Sequence, residues 1–150
     1  MKLPSQLHIL LVEDNRADAR LLREVLHESV PSCQLNIVED GDQALMFLRQ
    51  EGTYAAAPRP DLVLLVLNLP KLDGRVVLRT LRTTPKWETL PVIILTGCLQ
   101  ETYHQEVIAL GVARCLQKPA HLEDYWALGE DIATWGQWRG LVPVEGNSNT

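Results

Sequence analysis

Pro60-Asp61-Leu62-Val63-Leu64-Leu65-Val66-Leu67-Asn68-Leu69-Pro70-Lys71-Leu72-Asp73-Gly74 is the stretch on which the fold turns. Leu62 to Leu67 is an unbroken apolar run that stops at Asn68 and Pro70, the bounds of a short strand. Its continuous rather than alternating character suits a strand covered on both faces, as in a parallel sheet sandwiched by helices. Beyond Gly74 the period changes to that of a helix, with Val77, Leu78 and Leu81 on one side until Pro85 ends it.

The same unit repeats outward in both directions. Leu7 to Val12, Gln34 to Val38, Val92 to Leu95 and Ala113 to Leu116 are four further apolar runs. Between them, Leu21, Leu22, Val25 and Leu26 mark a helix from Ala17, and Ala44, Leu45, Phe47 and Leu48 mark one after Asp40-Gly41. A weaker helix from about Glu101 to Leu110 closes at Gly111, a residue suited to a left-handed C-cap. A last helix spans about Leu122 to Trp138, with Leu122, Trp126, Ile132, Ala133 and Trp135 on its apolar side. Five alternations of strand and helix predict a doubly wound α/β domain with a five-stranded parallel sheet, (β/α)5, over residues 1–138. Glu51 to Pro60 reads as an extended loop, and Arg139 to Thr150 as a flexible C-terminal tail.

Composition narrows the function classes. The 150 residues, 46% of them apolar, suit one domain with a full core. Nineteen Asp and Glu against fourteen Lys and Arg, a net charge of −5, argue against nucleic acid as a partner. The longest apolar run is far short of the roughly 20 residues a membrane helix needs, and no signal segment opens the chain, so a cytoplasmic location is expected. Cys33, Cys98 and Cys115 lack CxxC spacing and read as buried free thiols.

In a doubly wound sheet the site lies beyond the carboxyl ends of the strands. Glu13, Asp14 and Asn15 follow the first strand, Asn68 the third, Thr96 and Gly97 end the fourth, and Lys118 and Pro119 follow the fifth. Adjacent carboxylates suit a hard cation such as Mg2+, and a hydroxyl with an ammonium suits phosphoryl oxygens. Taken singly, each has a plain structural reading: Asp14 as the N-cap of the first helix, Thr96 as a strand-end turn residue, Lys118 as a surface cation.

Taken together with their surroundings, these residues resemble a known family. Leu10-Leu11-Val12-Glu13-Asp14-Asn15, Pro60 to Leu65, Asn68-Leu69-Pro70-Lys71-Leu72-Asp73-Gly74, Pro91-Val92-Ile93-Ile94-Leu95-Thr96-Gly97 and Lys118-Pro119 resemble the receiver domain of bacterial two-component response regulators, a flavodoxin-like fold. The resemblance runs over about residues 7–138. It is greatest to the single-domain regulators that serve bacterial and cyanobacterial phytochromes. It implies a sensor histidine kinase as partner, possession of no enzymatic output, and Mg2+ held by acids after the first strand and by an aspartate at the end of the third. That aspartate accepts the phosphoryl group. It is expected two residues before Asn68, where this chain has Val66.

An isopropyl group has no lone pair with which to attack phosphorus. Asp61 stands at the other end of the strand and Asp73 is well into the following loop, so neither replaces it, although phosphorylation at Asp73 is a conceivable third course. Receivers also carry Tyr or Phe three residues before the strand-end lysine, and here that switch position is Cys115. Glu13, Asp14 and Asn68 are then a vestigial acidic pocket and Thr96, Lys118 and Cys115 the remains of a phosphate switch. Lys118 is expected to pair with Asp14 or Glu13, leaving Mg2+ binding weak or absent.

Two readings of Val66 stand: a natural pseudo-receiver acting by protein contact, or a deliberate replacement of aspartate in an otherwise phosphorylatable receiver. A rival of another class, a flavodoxin-like nucleotide-binding protein or enzyme, lacks support in the Glu13-Asp14-Asn15 turn, which has no phosphate-cradling glycines. No output domain is expected after residue 138. Trp126, Trp135 and Trp138 are candidate interface residues, with Trp126 and Trp135 expected on one side of the last helix, and a homodimer burying that side is the predicted assembly.

Overall fold

The computed structural model describes residues 7–97, 105 and 107–138. In chain order they form β1 (Leu7–Val12), α1 (Arg16–Ser29), β2 (Cys33–Val38), α2 (Gly41–Arg49), β3 (Leu62–Val66), α3 (Gly74–Thr83), β4 (Val92–Thr96), β5 (Arg114–Gln117) and α4 (Tyr125–Trp138). The predicted helix at about Glu101 to Leu110 lies largely outside the described residues. Those that are described there, Gln105 and Val107 to Ala109, are helical, and Gly111 follows at φ +74°. Cys98 and the segment 139–150 also lie outside.

The strands form one parallel sheet in the order β2-β1-β3-β4-β5. Their carboxyl ends are aligned by register: Val12 pairs with Val38 and Leu65, Val66 with Leu95, and Thr96 with Gln117.

Alternation of side chains across the pleat explains the continuous apolar runs. Ile9, Leu11, Leu62, Leu64, Val66, Ile93 and Leu95 face one core with α1 and α4. Leu10, Val12, Val63, Leu65, Val92 and Ile94 face the other with α2 and α3. β1, β3 and β4 are covered on both faces as expected. The edge strands depart from this, because an edge has a helix over only part of its surface: Gln34 of β2 and both ends of β5, Arg114 and Gln117, are exposed.

Helix starts follow side-chain capping. The carbonyl oxygen of the Asn15 side chain accepts the Asp18 N–H at 2.9 Å, Asp40 caps α2 through the Gln43 N–H at 2.7 Å, and Asp73 caps α3 through the Arg75 N–H at 2.8 Å. Each satisfies a backbone donor that the first turn leaves open. The N-cap of α1 is therefore Asn15, not Asp14. The loop expected over Glu51 to Pro60 includes a 3-10 turn, Gly52–Tyr54.

Gly74 lets α3 start close against the end of β3. Its N–H donates to the Leu67 carbonyl at 2.8 Å, and a Cβ there would meet the Val66 carbonyl oxygen and stand 2.7 Å from the Leu67 Cα. Both obstacles are backbone, so the helix itself must move. Gly74→Ala is expected to destabilise by about 1–3 kcal/mol, as overpacking does; equilibrium urea unfolding reads it, and an unchanged midpoint contradicts the close approach.

The last helix differs from expectation at its start and in its phase. Leu122 lies in a 3-10 turn, Leu122–Asp124, and is 64% exposed. Trp126 is 49% exposed while Trp135 is 6% exposed within the α1/α4 core. The shared apolar side predicted for the two does not form, because nine residues are about two and a half turns and place them on opposite faces. Trp135 is thus a core residue rather than an interface residue, and the side chain of Trp138 lies outside the described set.

Candidate functional site

Pleat parity carries Glu13 and Lys118 to the same side of the sheet. β1 places Ile9 and Leu11 on the α1/α4 face, and Glu13 continues that series. β5 places Leu116 against that same core, and Lys118 is its next neighbour in the series. The Glu13 N–H extends the ladder to the Val38 carbonyl at 3.0 Å, and the Lys118 N–H donates to the Thr96 carbonyl at 2.6 Å.

Glu13 is 1% exposed. Its Oε1 accepts from Lys118 Nζ at 2.8 Å and its Oε2 from the Asn15 N–H at 3.1 Å. Lys118 Nζ also reaches Asp18 Oδ2 at 2.7 Å. Lys118 therefore bridges Glu13 and Asp18, not Asp14, which is exposed. Asp18 in turn accepts a hydrogen bond from the hydroxyl of Tyr125 at the start of α4. The arrangement is a chain, Glu13–Lys118–Asp18–Tyr125, buried at its two ends and half-buried in the middle, joining two strand ends to two helices.

The charge states follow from burial and partners. Burial pushes the Glu13 carboxyl above the ordinary value, only partly opposed by the Lys118 and Asn15 hydrogen bonds. Burial pulls Lys118 down, but its bonds to Asp18 and Glu13 outweigh this and leave it raised. The two directions pull oppositely on one pair, and the difference is physical: the Glu13 side chain has no exposure, whereas that of Lys118 keeps 17%. Tyr125 is pushed up to about 12 by burial, then by the charge of Asp18 and its hydrogen bond. One of the three tyrosines in the chain is thus expected to ionise last in an alkaline absorbance titration, near pH 12 or on unfolding. A single transition at the ordinary tyrosine value contradicts the burial of Tyr125.

The remaining rim residues are arranged around this chain. Val66 is 6% exposed at the end of β3, packed in the α1/α4 core. Thr96 is buried and Asn68 is exposed on the turn after β3. Cys115 is half-buried against the α2/α3 core, on the face away from Lys118, and burial raises its thiol. Cys33 is buried and free, with its thiol likewise raised by burial. Asp61 and Asp73 serve the backbone: Asp61 accepts the His8 N–H at 2.8 Å, and Asp73 caps α3 and pairs with Arg75 at 3.2 Å.

At the ends of β1 and β3 the pocket carries two carboxylates, those of Glu13 and the exposed Asp14. Both oxygens of Glu13 are engaged, one of them by an ammonium, and Val66 brings no oxygen to the rim. Among the described residues no group of three or more His, Cys, Asp or Glu is placed to hold a metal ion. No helix among them is long and apolar enough to cross a membrane.

Asp18 and Tyr125 were not among the sequence candidates, yet a signal for both exists. Asp18 continues the buried stripe of α1, four residues before Leu22, and Tyr125 continues that of α4, three before Leu128. An acid on an apolar stripe needs a buried cationic partner.

Comparison with known proteins agrees with this architecture. The model for the response regulator receiver domain matches residues 9–128. Response regulator Rcp1 of Synechocystis sp. is 44% identical over 130 residues, covering 85% of this chain and 86% of the relative. The crystal structure of the Mn2+-bound form of Rcp1 superposes with a TM-score of 0.80 at 41% identity, over 87% of this chain and 93% of that one. That of the phosphorylated cyanobacterial phytochrome response regulator RcpA superposes with a TM-score of 0.84 at 38% identity, over 93% and 99%. The chain belongs to the response regulator receiver domain family and is related to Rcp1 and to the phytochrome response regulator RcpA.

Proposed function

We propose that this chain is a receiver of the phytochrome-associated type that does not take a phosphoryl group at Val66 and that signals by protein contact. The observation that carries the reading is the side chain of Val66 itself. It stands at the carboxyl end of β3, on the core side shared with Glu13 and Lys118, with no oxygen to offer. Glu13, Asp14 and Asn68 are the remnant of an acidic pocket, and Thr96, Lys118 and Cys115 the remnant of a switch whose lysine is now engaged by Glu13 and Asp18. The natural-residue reading is favoured over an introduced change because Cys115 departs from the receiver pattern as well.

The domain on this reading spans 1–138, works in the cytoplasm and contacts a sensor histidine kinase, a phytochrome among the candidates. Mg2+ binds weakly or not at all, because Lys118 already neutralises the pocket. Incubation of the chain with a small-molecule phosphodonor and Mg2+, followed by intact mass, tests the reading: no added phosphoryl group is expected. A phosphorylated species, whether at Asp73 or elsewhere, overturns it.

A homodimer is the proposed assembly. Trp126 is exposed beside the exposed Leu122, over a groove that also includes Leu21 and Val25. An exposed tryptophan on an apolar groove is a frequent anchor of protein contacts. Sedimentation equilibrium is expected to show a dimer that Trp126→Ala weakens; a monomer at every concentration contradicts it.

A further inference from the structure

The outer surface of α1 has two flanks of opposite character. Toward β2 it presents Arg16, Arg20 and Arg23, spaced four and three apart and so on one side of the helix. Toward α4 it borders the groove that holds Leu21, Val25, Leu122 and Trp126, whose rim carries Glu24 and Glu123. No cation among the described residues lines that groove.

Four of these charges go unused within the domain. Arg16 pairs with Glu39 at 3.6 Å, and Glu13, the other acid on the β2 flank, is engaged by Lys118. Arg20, Arg23, Glu24 and Glu123 are exposed and, among the described residues, form no ion pair. A helix turns by about 100° per residue, which sets Arg20 and Arg23 about 100° and 160° around α1 from Leu21. Both lie on the flank away from α4.

Symmetry restricts how a second copy can sit on this surface. A two-fold axis running across α1 sets like flanks against each other, arginine on arginine and acid on acid. An axis running along α1 sets each flank against the opposite flank of the other copy at the same height. Only the second arrangement pairs charges of opposite sign. It also lays the aliphatic stems of two arginines over Leu122 and Trp126, with the guanidinium groups within reach of an indole face and of two carboxylates.

We propose that a second copy of this chain docks with the two α1 helices side by side and parallel, Arg20 and Arg23 of each copy lying over the Trp126 groove of the other and facing Glu24 and Glu123. This arrangement rests on the homodimer reading and specifies its register. The contact is made twice in each dimer, so every altered charge acts twice.

Sedimentation equilibrium of the full chain tests this with Arg20→Glu/Arg23→Glu, with Glu24→Arg/Glu123→Arg and with an equimolar mixture of the two. Each variant alone is expected to dimerise at least about tenfold more weakly than the unaltered chain, because like charges then oppose across both contacts. The mixture is expected to regain the dimer: one contact carries the original signs and the other carries them reversed. The four positions are exposed, so the urea midpoint of each variant is expected to stay near that of the unaltered chain. An unaltered chain that is monomeric at every concentration overturns the homodimer reading and this arrangement with it. Variants that each dimerise as tightly as the unaltered chain leave the homodimer standing and overturn the arrangement, and so does a mixture that regains no dimer.

Discussion

Lys118→Ala is expected to lower the stability of the domain by about 2–4 kcal/mol, read as a shift in the urea midpoint at neutral pH. Removing one partner of a buried ion pair strands the other, which typically costs about 3–5 kcal/mol. Two features reduce the loss here. Lys118 keeps some exposure, and Glu13, whose carboxyl burial already raises, escapes the stranded charge by taking up a proton. The variant is therefore expected to be relatively more stable at mildly acidic pH than at neutral pH. A raised carboxyl binds protons more readily folded than unfolded, so its contribution is full below 4.5 and is lost as pH rises through the folded value.

The unaltered chain also has a linked loss at the alkaline end. Lys118 and Tyr125 are both raised, so their contributions are full below their unfolded values near 10.5 and 10.0 and fade as pH climbs through the folded ones. Equal destabilisation of Lys118→Ala at acidic and neutral pH contradicts a buried Glu13.

Val66→Asp is expected to change the chain from inert toward small-molecule phosphodonors to singly phosphorylated in the presence of Mg2+, an all-or-none difference in intact mass. A carboxylate in this position supplies both the attacking oxygen and a missing hard-cation ligand. Without Mg2+ the same change is expected to destabilise, by about 3 kcal/mol or more, because it buries a second acid on the core side occupied by Glu13. Mg2+ is expected to return much of that stability by binding the folded state, whereas it moves the unfolding midpoint of the unaltered chain little. A Val66→Asp protein that gains no phosphoryl group shows that the pocket has lost more than its nucleophile, with the engagement of Lys118 by Asp18 the first suspect. An unaltered chain strongly stabilised by Mg2+ refutes the weak-binding expectation.

Much of the fold was legible in the chain. Leu62 to Leu67 announced a strand buried on both sides, and β3 is buried throughout. Gly111 announced a left-handed residue and has one. The errors gathered where local pattern is a poor guide. Proximity to the strand ends offers Lys118 both Asp14 and Glu13, and the fold takes Glu13 and adds Asp18 from the first turn of α1. The last helix was phased from Leu122, which belongs to a 3-10 turn.

Sequence alone determined the order of strands and helices, the acidic residues that follow β1 and the absence of a carboxylate at Val66. Hydrophobic period is a local property, and the chemistry of a side chain is fixed by its identity. Only the tertiary structure decided that Lys118 is shared by Glu13 and Asp18, that Tyr125 completes the chain of hydrogen bonds, and that Trp135 is core while Trp126 is surface. Those outcomes depend on the pleat parity of two strands, the register between them and the rotation of two helices at once, and no single segment of the sequence carries all of these terms.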